Sequence, residues 1–226
     1  MRPTTPPRGG LLRVAIALAL FSGAPAAAEL RILPMGPAEA ILADLEPAQW
    51  HTQVVWKDDL AALRAHMDYM LVNGGYFDAD RTPSALLVAA GAESGRWRAD
   101  KPYSGFVAMA GNALELRMTT TRPEGRYDWL VQSGPLLVEP GGVAGINRST
   151  DASERTVIGR RGTAIVLLRT GAVGLRAACD LLLGQHVDAA LNLDGGPSSV
   201  FESRLAGQVL RRGVGEKVPY YLGFWR

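Results

Sequence analysis

The chain has 226 residues, 47% of them hydrophobic, with 24 Lys and Arg against 22 Asp and Glu and a formal net charge of +2. That length fits one domain with a substantial core, and the near-balanced charge removes the electrostatic case for a nucleic-acid binder. One cysteine excludes an intrachain disulfide, and His51, His66 and His186 lack the company of a histidine-rich zinc site.

Residues 1–28 read as a secretory signal peptide. Arg2, Arg8 and Arg13 form a basic start, residues 14–21 are apolar, and Ala26-Ala27-Ala28 supplies a small-residue cleavage site. The apolar part is too short to span a bilayer, so the mature chain is expected to be periplasmic or secreted with no membrane span. Without the three leader arginines, 21 basic groups face 22 acidic ones, a net of −1. No nucleic-acid partner is expected.

Past the leader, residues 40–45 and 53–56 read as short strands. Asp58 and Asp59 are placed to cap a helix to about Ala65, with Leu60, Leu63, Arg64 and Met67 at helical spacing. Residues 69–72 are apolar, as in a buried strand, and run into Asn73-Gly74-Gly75-Tyr76-Phe77-Asp78. Residues 85–89, 105–110 and 114–119 are further strands. Residues 129–138 are apolar but broken by Gln132-Ser133-Gly134-Pro135. Proline cannot donate within a central ladder, so the break predicts a bend or bulge inside a strand pair. Residues 139–153, rich in proline and glycine, predict an exposed loop able to close over a site. Residues 155–158 and 163–168 follow as strands. Leu175, Ala178, Cys179, Leu182 and Leu183 mark one apolar helix face ending near Gly184, with Cys179 a buried apolar residue. Strands at 187–191, 199–201, 209–211 and 220–224 complete the pattern. Many strands and two main helices predict a single α+β domain over residues 29–226, with a mixed, largely antiparallel sheet core.

The segment Asn192-Leu193-Asp194-Gly195-Gly196-Pro197-Ser198-Ser199 is poor packing material for a strand end. Asp194 there is an acceptor able to act as base or nucleophile. The glycines allow close backbone approach, and their N–H groups can face an oxyanion. The same dipeptides also make ordinary turns. Asn73-Gly74-Gly75, Gln132-Ser133-Gly134-Pro135 and Arg155-Thr156-Val157-Ile158-Gly159 share the design: a strand delivers polar groups into a glycine-opened turn.

In this order the four segments resemble the phosphodiester glycosidase family. The pattern N-G-G-(F/Y)-F is matched by residues 73–77, S-G-P-x-L by 133–137, R-(T/A)-x-(I/L)-G by 155–159, and N-L-D-G-G-x-S-(S/T) by 192–199. A weaker match is Gly215-Glu216-Lys217, where the family often has G-E-R, and Pro197 stands where relatives commonly have Gly.

The resemblance implies a secreted hydrolase that cuts a sugar-1-phosphodiester at the glycosyl–phosphate linkage, on N-acetylhexosamine-type or envelope polysaccharide substrates. In that reading Asp194 is the carboxylate at an oxocarbenium-like centre and Arg155 a bidentate phosphate clamp. Gly195, Gly196, Ser198 and Ser199 add donors. Asn73, Gly74, Gln132, Ser133, Gly134 and Asn192 hold the sugar. For a second carboxylate, Asp78 and Glu216 rank ahead of Glu93, Glu154 and Asp188. No cofactor is expected, and the spacing of Asp194 and Asp78 gives a divalent cation no support. The alternative is a non-catalytic glycan- or phosphosugar-binding protein of the envelope. A serine hydrolase built on Ser133 or Ser198 lacks G-x-S-x-G, S-x-x-K and a placed histidine.

Overall fold

A computed structural model of the chain describes residues 28–118, 120–143 and 151–226. Most of the expected leader (1–27), Thr119 at the end of one predicted strand, and residues 144–150 of the predicted loop lie outside the described residues.

The elements run β1 (Ala28–Met35), β2 (Ala38–Leu45), β3 (His51–Trp56), α1 (Leu60–Ala65), β4 (Tyr69–Asn73), β5 (Leu87–Ala89) and β6 (Ala92–Ser94). They continue with β7 (Gly105–Ala110), β8 (Ala113–Met118), β9 (Trp129–Ser133), β10 (Leu136–Glu139), β11 (Gly142–Val143) and β12 (Ser153–Arg161). The last are β13 (Ala164–Val173), α2 (Leu175–Gly184), β14 (Ala189–Asn192), β15 (Val200–Leu205), β16 (Gln208–Gly213) and β17 (Tyr220–Trp225).

They form three sheets with orders β1-β2-β13-β12-β14-β10-β11, β16-β15-β4-β17-β3 and β6-β5-β9-β7-β8. Pairings among the described residues are antiparallel throughout, which corrects the expected mixed core. Part of the physical reason lies in the connections: short turns join six of the fourteen paired neighbours as hairpins, and a parallel pair needs a long crossover. The α+β label holds only in its coarse form, since strands dominate and the helices span 6 and 10 residues.

The inner faces of all three sheets share one core. Ile41, Ile158 and Leu191 come from the first sheet, Val72, Phe201 and Leu222 from the second, and Val107, Trp129 and Val131 from the third. Each such side chain contributes roughly 1.5–3 kcal/mol when fully buried. The Trp129 indole N–H donates to Thr52 Oγ1 at 2.9 Å, joining the third sheet to the second. On the outer face of the first sheet, Cys179 and Leu182 of α2 pack against Val157, Val166, Leu168 and Ala190. Cys179 is fully buried, as its place on the apolar stripe implies.

The break at residues 134–135 does not bulge one strand pair. It passes the chain from β9 in the third sheet to β10 in the first. The proline therefore sits between ladders, where its missing N–H costs nothing. No described helix is long and apolar enough to cross a membrane.

Candidate active site

The three sheets meet at one corner, and the motif turns meet there. β4, β9 and β14 end at it and β12 starts from it. Antiparallel register puts the β14 end beside the β12 start, with Val157 opposite Asn192. The Leu193 N–H donates to the Thr156 carbonyl at 2.8 Å, and the Asn192 N–H to the Pro135 carbonyl at 3.0 Å.

Asn73, fully buried at the end of β4, is the knot of the corner. Its amide donates to the carbonyls of Asp194 (2.8 Å) and Gly74 (3.1 Å). Its Oδ1 accepts from Thr156 Oγ1 at 2.7 Å and from the Val200 N–H at 3.1 Å. Ser199 Oγ lies 2.8 Å from Thr156 Oγ1. These bonds use the amide's full capacity. Asn73 and Ser199, expected to meet substrate, instead fasten the Asp194 turn to β12 and β15.

The Asp194 side chain is half-buried at the mouth of β14, and burial raises its pKa above the ordinary carboxylate value. The Ser198 hydroxyl and the Gly195 N–H, the latter 2.9 Å from Oδ1, offset part of that rise. Arg155 is also half-buried. Its Nε donates to the Val173 carbonyl at 3.1 Å and its Nη2 to the Asp151 carbonyl at 2.7 Å. Burial lowers its pKa, while Tyr76 and Asp151 act to raise it. The Tyr76 phenol lies within electrostatic reach of both charges. Its pKa is pushed up to about 12, chiefly by burial and then by Asp194, with Arg155 acting the other way. Asp194 and Arg155 thus act on one phenol in opposite directions.

Tyr76 ties the other turns together. Its hydroxyl donates to the Gly134 carbonyl at 2.6 Å and accepts from Asn192 Nδ2 at 3.3 Å. The same Nδ2 lies 3.3 Å from the Gly134 carbonyl and 2.6 Å from that of Leu193. Ser133 Oγ and Asn192 Oδ1 are buried without a partner among the described residues.

The family of the chain follows from residues 68–225, which match the phosphodiester glycosidase family model. The chain belongs to the phosphodiester glycosidase family. No curated protein sequence matches it. A similar solved structure is the zebrafish N-acetylglucosamine-1-phosphodiester alpha-N-acetylglucosaminidase catalytic domain auto-inhibited by its pro-peptide. That likeness has a TM-score of 0.63 at 14% identity and covers 91% of this chain and 85% of the other. A hypothetical protein from Synechocystis is similar at a TM-score of 0.54 and 13% identity, over 88% of this chain and 62% of that one. At such identities the likenesses establish the fold alone.

The family motifs contain all the tightly knit turns, but not every expected site residue reaches the corner with a free side chain. Gln132 is buried and reads a loop instead. Its Oε1 accepts from the N–H groups of Arg98 (2.9 Å) and Leu86 (3.4 Å), and its Nε2 donates to the carbonyls of Arg98 and Tyr103. That loop carries Tyr103 edge-on to Tyr76, with ring centroids 5.7 Å apart, under the Arg98 guanidinium. Asp78 accepts from Ser84 Oγ at 2.6 Å within its own turn and is exposed. Glu216 is exposed, and its backbone N–H bonds to the Pro197 carbonyl at 3.1 Å. Glu154 pairs with the buried Arg169, Glu93 with Arg122, and Asp188 caps the Gly162 turn.

Two motif glycines serve packing rather than ligand approach. A Cβ at Gly74 would lie 2.1 Å from the Tyr220 ring, and one at Gly195 would lie 2.7 Å from the Glu154 carbonyl. Gly134 and Gly196 have positive φ, of 157° and 57°, and shape their turns.

Tyr76, Tyr103, Thr156 and Tyr220 escaped the sequence reading. Three of them lie in or beside segments already flagged. Tyr103 gave no local signal, because its loop reaches the corner through contacts distant in sequence, those with Gln132 and the bond from the Leu136 N–H to Ser104 Oγ at 3.0 Å. Among the described residues no three His, Cys, Asp or Glu side chains form a metal-ligand group. A cavity of about 410 Å³ lies on the outer face of the third sheet, lined by Leu86, Val88, Arg122, Tyr127 and Leu130. It contains none of the motif turns.

Proposed function

We propose that the chain hydrolyses sugar-1-phosphodiesters at the glycosyl–phosphate bond, with Asp194 and Arg155 as the working pair. The observation that carries this reading is the half-buried Asp194 carboxylate, its pKa raised by burial, on a turn hydrogen-bonded to the strand that carries Arg155. A phosphate monoester leaves as a stable anion, so the reaction asks for a cation at phosphate more than for a strong general acid. Arg155 supplies the cation and a planar fork of donors. Asp194 supplies the carboxylate that an oxocarbenium-like anomeric carbon requires. The C1–O bond breaks, the electron pair stays with the phosphate oxygen, and water supplies the new anomeric hydroxyl.

N-acetylhexosamine 1-phosphodiesters head the list of substrates, in keeping with the name of the zebrafish relative, with envelope polysaccharides carrying sugar-1-phosphate links beside them. Export to the periplasm or beyond, through the leader at residues 1–28, would deliver the protein to such polymers. The test is incubation of purified protein with an N-acetylglucosamine-1-phosphodiester. Free sugar together with a phosphate monoester, lost in Asp194→Asn, supports the reading. Tight binding with no product from any diester would make the chain a phosphosugar-binding protein.

A further inference from the structure

The best-connected side chain at the corner without an assigned task is Tyr76. Its hydroxyl lies in the field of both Asp194 and Arg155. It is also bound in a way that allows its proton to be redirected. The hydroxyl donates to the Gly134 carbonyl at 2.6 Å. Asn192 Nδ2, which donates one hydrogen to the Leu193 carbonyl at 2.6 Å, lies 3.3 Å from both the Tyr76 oxygen and the Gly134 carbonyl, so its other hydrogen is divided between them.

We propose that Tyr76 is a specificity-determining contact for the phosphate: its O–H swings from the Gly134 carbonyl to a non-bridging oxygen of the diester beside Arg155, and the Asn192 amide takes over the Gly134 carbonyl. The step moves one hydroxyl rotor and one shared hydrogen, and breaks no covalent bond. A charged oxygen out-competes a neutral carbonyl as acceptor, since charge-assisted hydrogen bonds are about twice as strong as neutral ones. The carbonyl released by Tyr76 is not orphaned, which would otherwise oppose the swing. Burial keeps the phenol protonated, with its pKa pushed up to about 12, so the donor persists at neutral pH. The preference belongs to the anionic half of the substrate, and a neutral glycoside gains nothing from it.

The proposal rests on the glycosyl-phosphate reading. Its test compares two probes by calorimetry, in Asp194→Asn protein to prevent turnover: the methyl phosphodiester of N-acetylglucosamine 1-phosphate and the neutral methyl N-acetylglucosaminide. Adding Tyr76→Phe should weaken the diester about tenfold, as loss of a hydrogen bond to a charged group does, and leave the neutral sugar within about twofold. Replacing Tyr76 by 3-fluorotyrosine, a better donor of nearly the same shape, should tighten the diester and leave the neutral sugar unchanged. That arm keeps the test decisive if the phenylalanine variant folds poorly. Equal diester affinity with and without the hydroxyl overturns the contact while leaving the hydrolase reading intact. Equal weakening of both probes assigns Tyr76 to structure and also overturns it. Failure of the Tyr76-intact protein to bind the diester at all defeats the glycosyl-phosphate reading itself.

Discussion

Asp194 and Glu202 are carboxylates eight positions apart, and the fold treats them in opposite ways. Glu202 lies in β15 with its side chain almost wholly buried. Burial alone would raise its pKa. Arg64 on Nε and Nη2 (2.7 and 2.8 Å), the Tyr69 hydroxyl (2.8 Å) and Arg211 outweigh that and hold it below the ordinary value. Asp194 receives one backbone N–H and one serine hydroxyl, and burial wins. On the function proposed above, the difference separates a charge kept for structure from one kept for use. Satisfying a carboxylate with cations stabilises the fold and quenches the group. Leaving it half-desolvated costs stability and keeps it reactive.

The comparison breaks most visibly at Asp194. Asp194→Asn should lower turnover by about 10³-fold or more, as loss of a principal catalytic group does, while the thermal midpoint holds or rises. The sign follows from linkage. A folded pKa above the unfolded one means that ionisation opposes folding as pH rises, so any gain in the variant appears above the unfolded value of about 4 and vanishes below it. A large fall in thermal midpoint would show that Asp194 is structural.

Glu202→Ala should do the reverse. Stability should fall by about 2 kcal/mol, less than for a fully buried pair because Arg64 can regain water, with turnover per folded molecule unchanged. Denaturant melts and active-site titration measure the two quantities separately. Thr156→Val removes the hydroxyl between Asn73 and Ser199 and should cost about 1 kcal/mol, with a several-fold loss of kcat as the Asp194 turn loosens. Restoration by Thr156→Ser would attribute the loss to the hydroxyl.

The smallest effect is in pH. If Asp194 works ionised, kcat/KM should fall toward acid with a midpoint above the ordinary carboxylate value, because its pKa is raised. Glu202, whose pKa is lowered, contributes stability above its unfolded value, lost as pH falls through its folded one. Activity should therefore fade at a higher pH than the fold does. A pH–rate profile beside a pH–stability profile checks the order.

Much of the fold was legible where pattern and length agreed. The i, i+3, i+4 stripe of α2 and the apolar runs of β4, β7 and β17 needed no tertiary help. The sheet change at Gly134-Pro135 was not legible, because a proline between ladders and one at a bulge leave the same local signature. The four turns were legible as a set, yet the duties within them were not. Asn73, Gln132 and Gly74 look like ligand-binding residues, but apart from the bond of Asn73 to the neighbouring Gly74 carbonyl, the partners described above are backbone groups, the Thr156 hydroxyl and the Tyr220 ring, 29 to 146 positions away. Only the packing of the three sheets decides those partners. The Tyr76 hydroxyl, which bonds Gly134 and Asn192, stood unread inside a motif whose neighbours drew attention first.

The central claim is that the corner breaks the bond between sugar and phosphate oxygen. Hydrolysis of an N-acetylglucosamine-1-phosphodiester in ¹⁸O-water, followed by mass spectrometry of both products, tests it most directly. Label at the anomeric hydroxyl of the sugar, with an unlabelled phosphate monoester, is the predicted result. Label in the phosphate would mean attack at phosphorus and would contradict the roles given to Asp194 and Arg155.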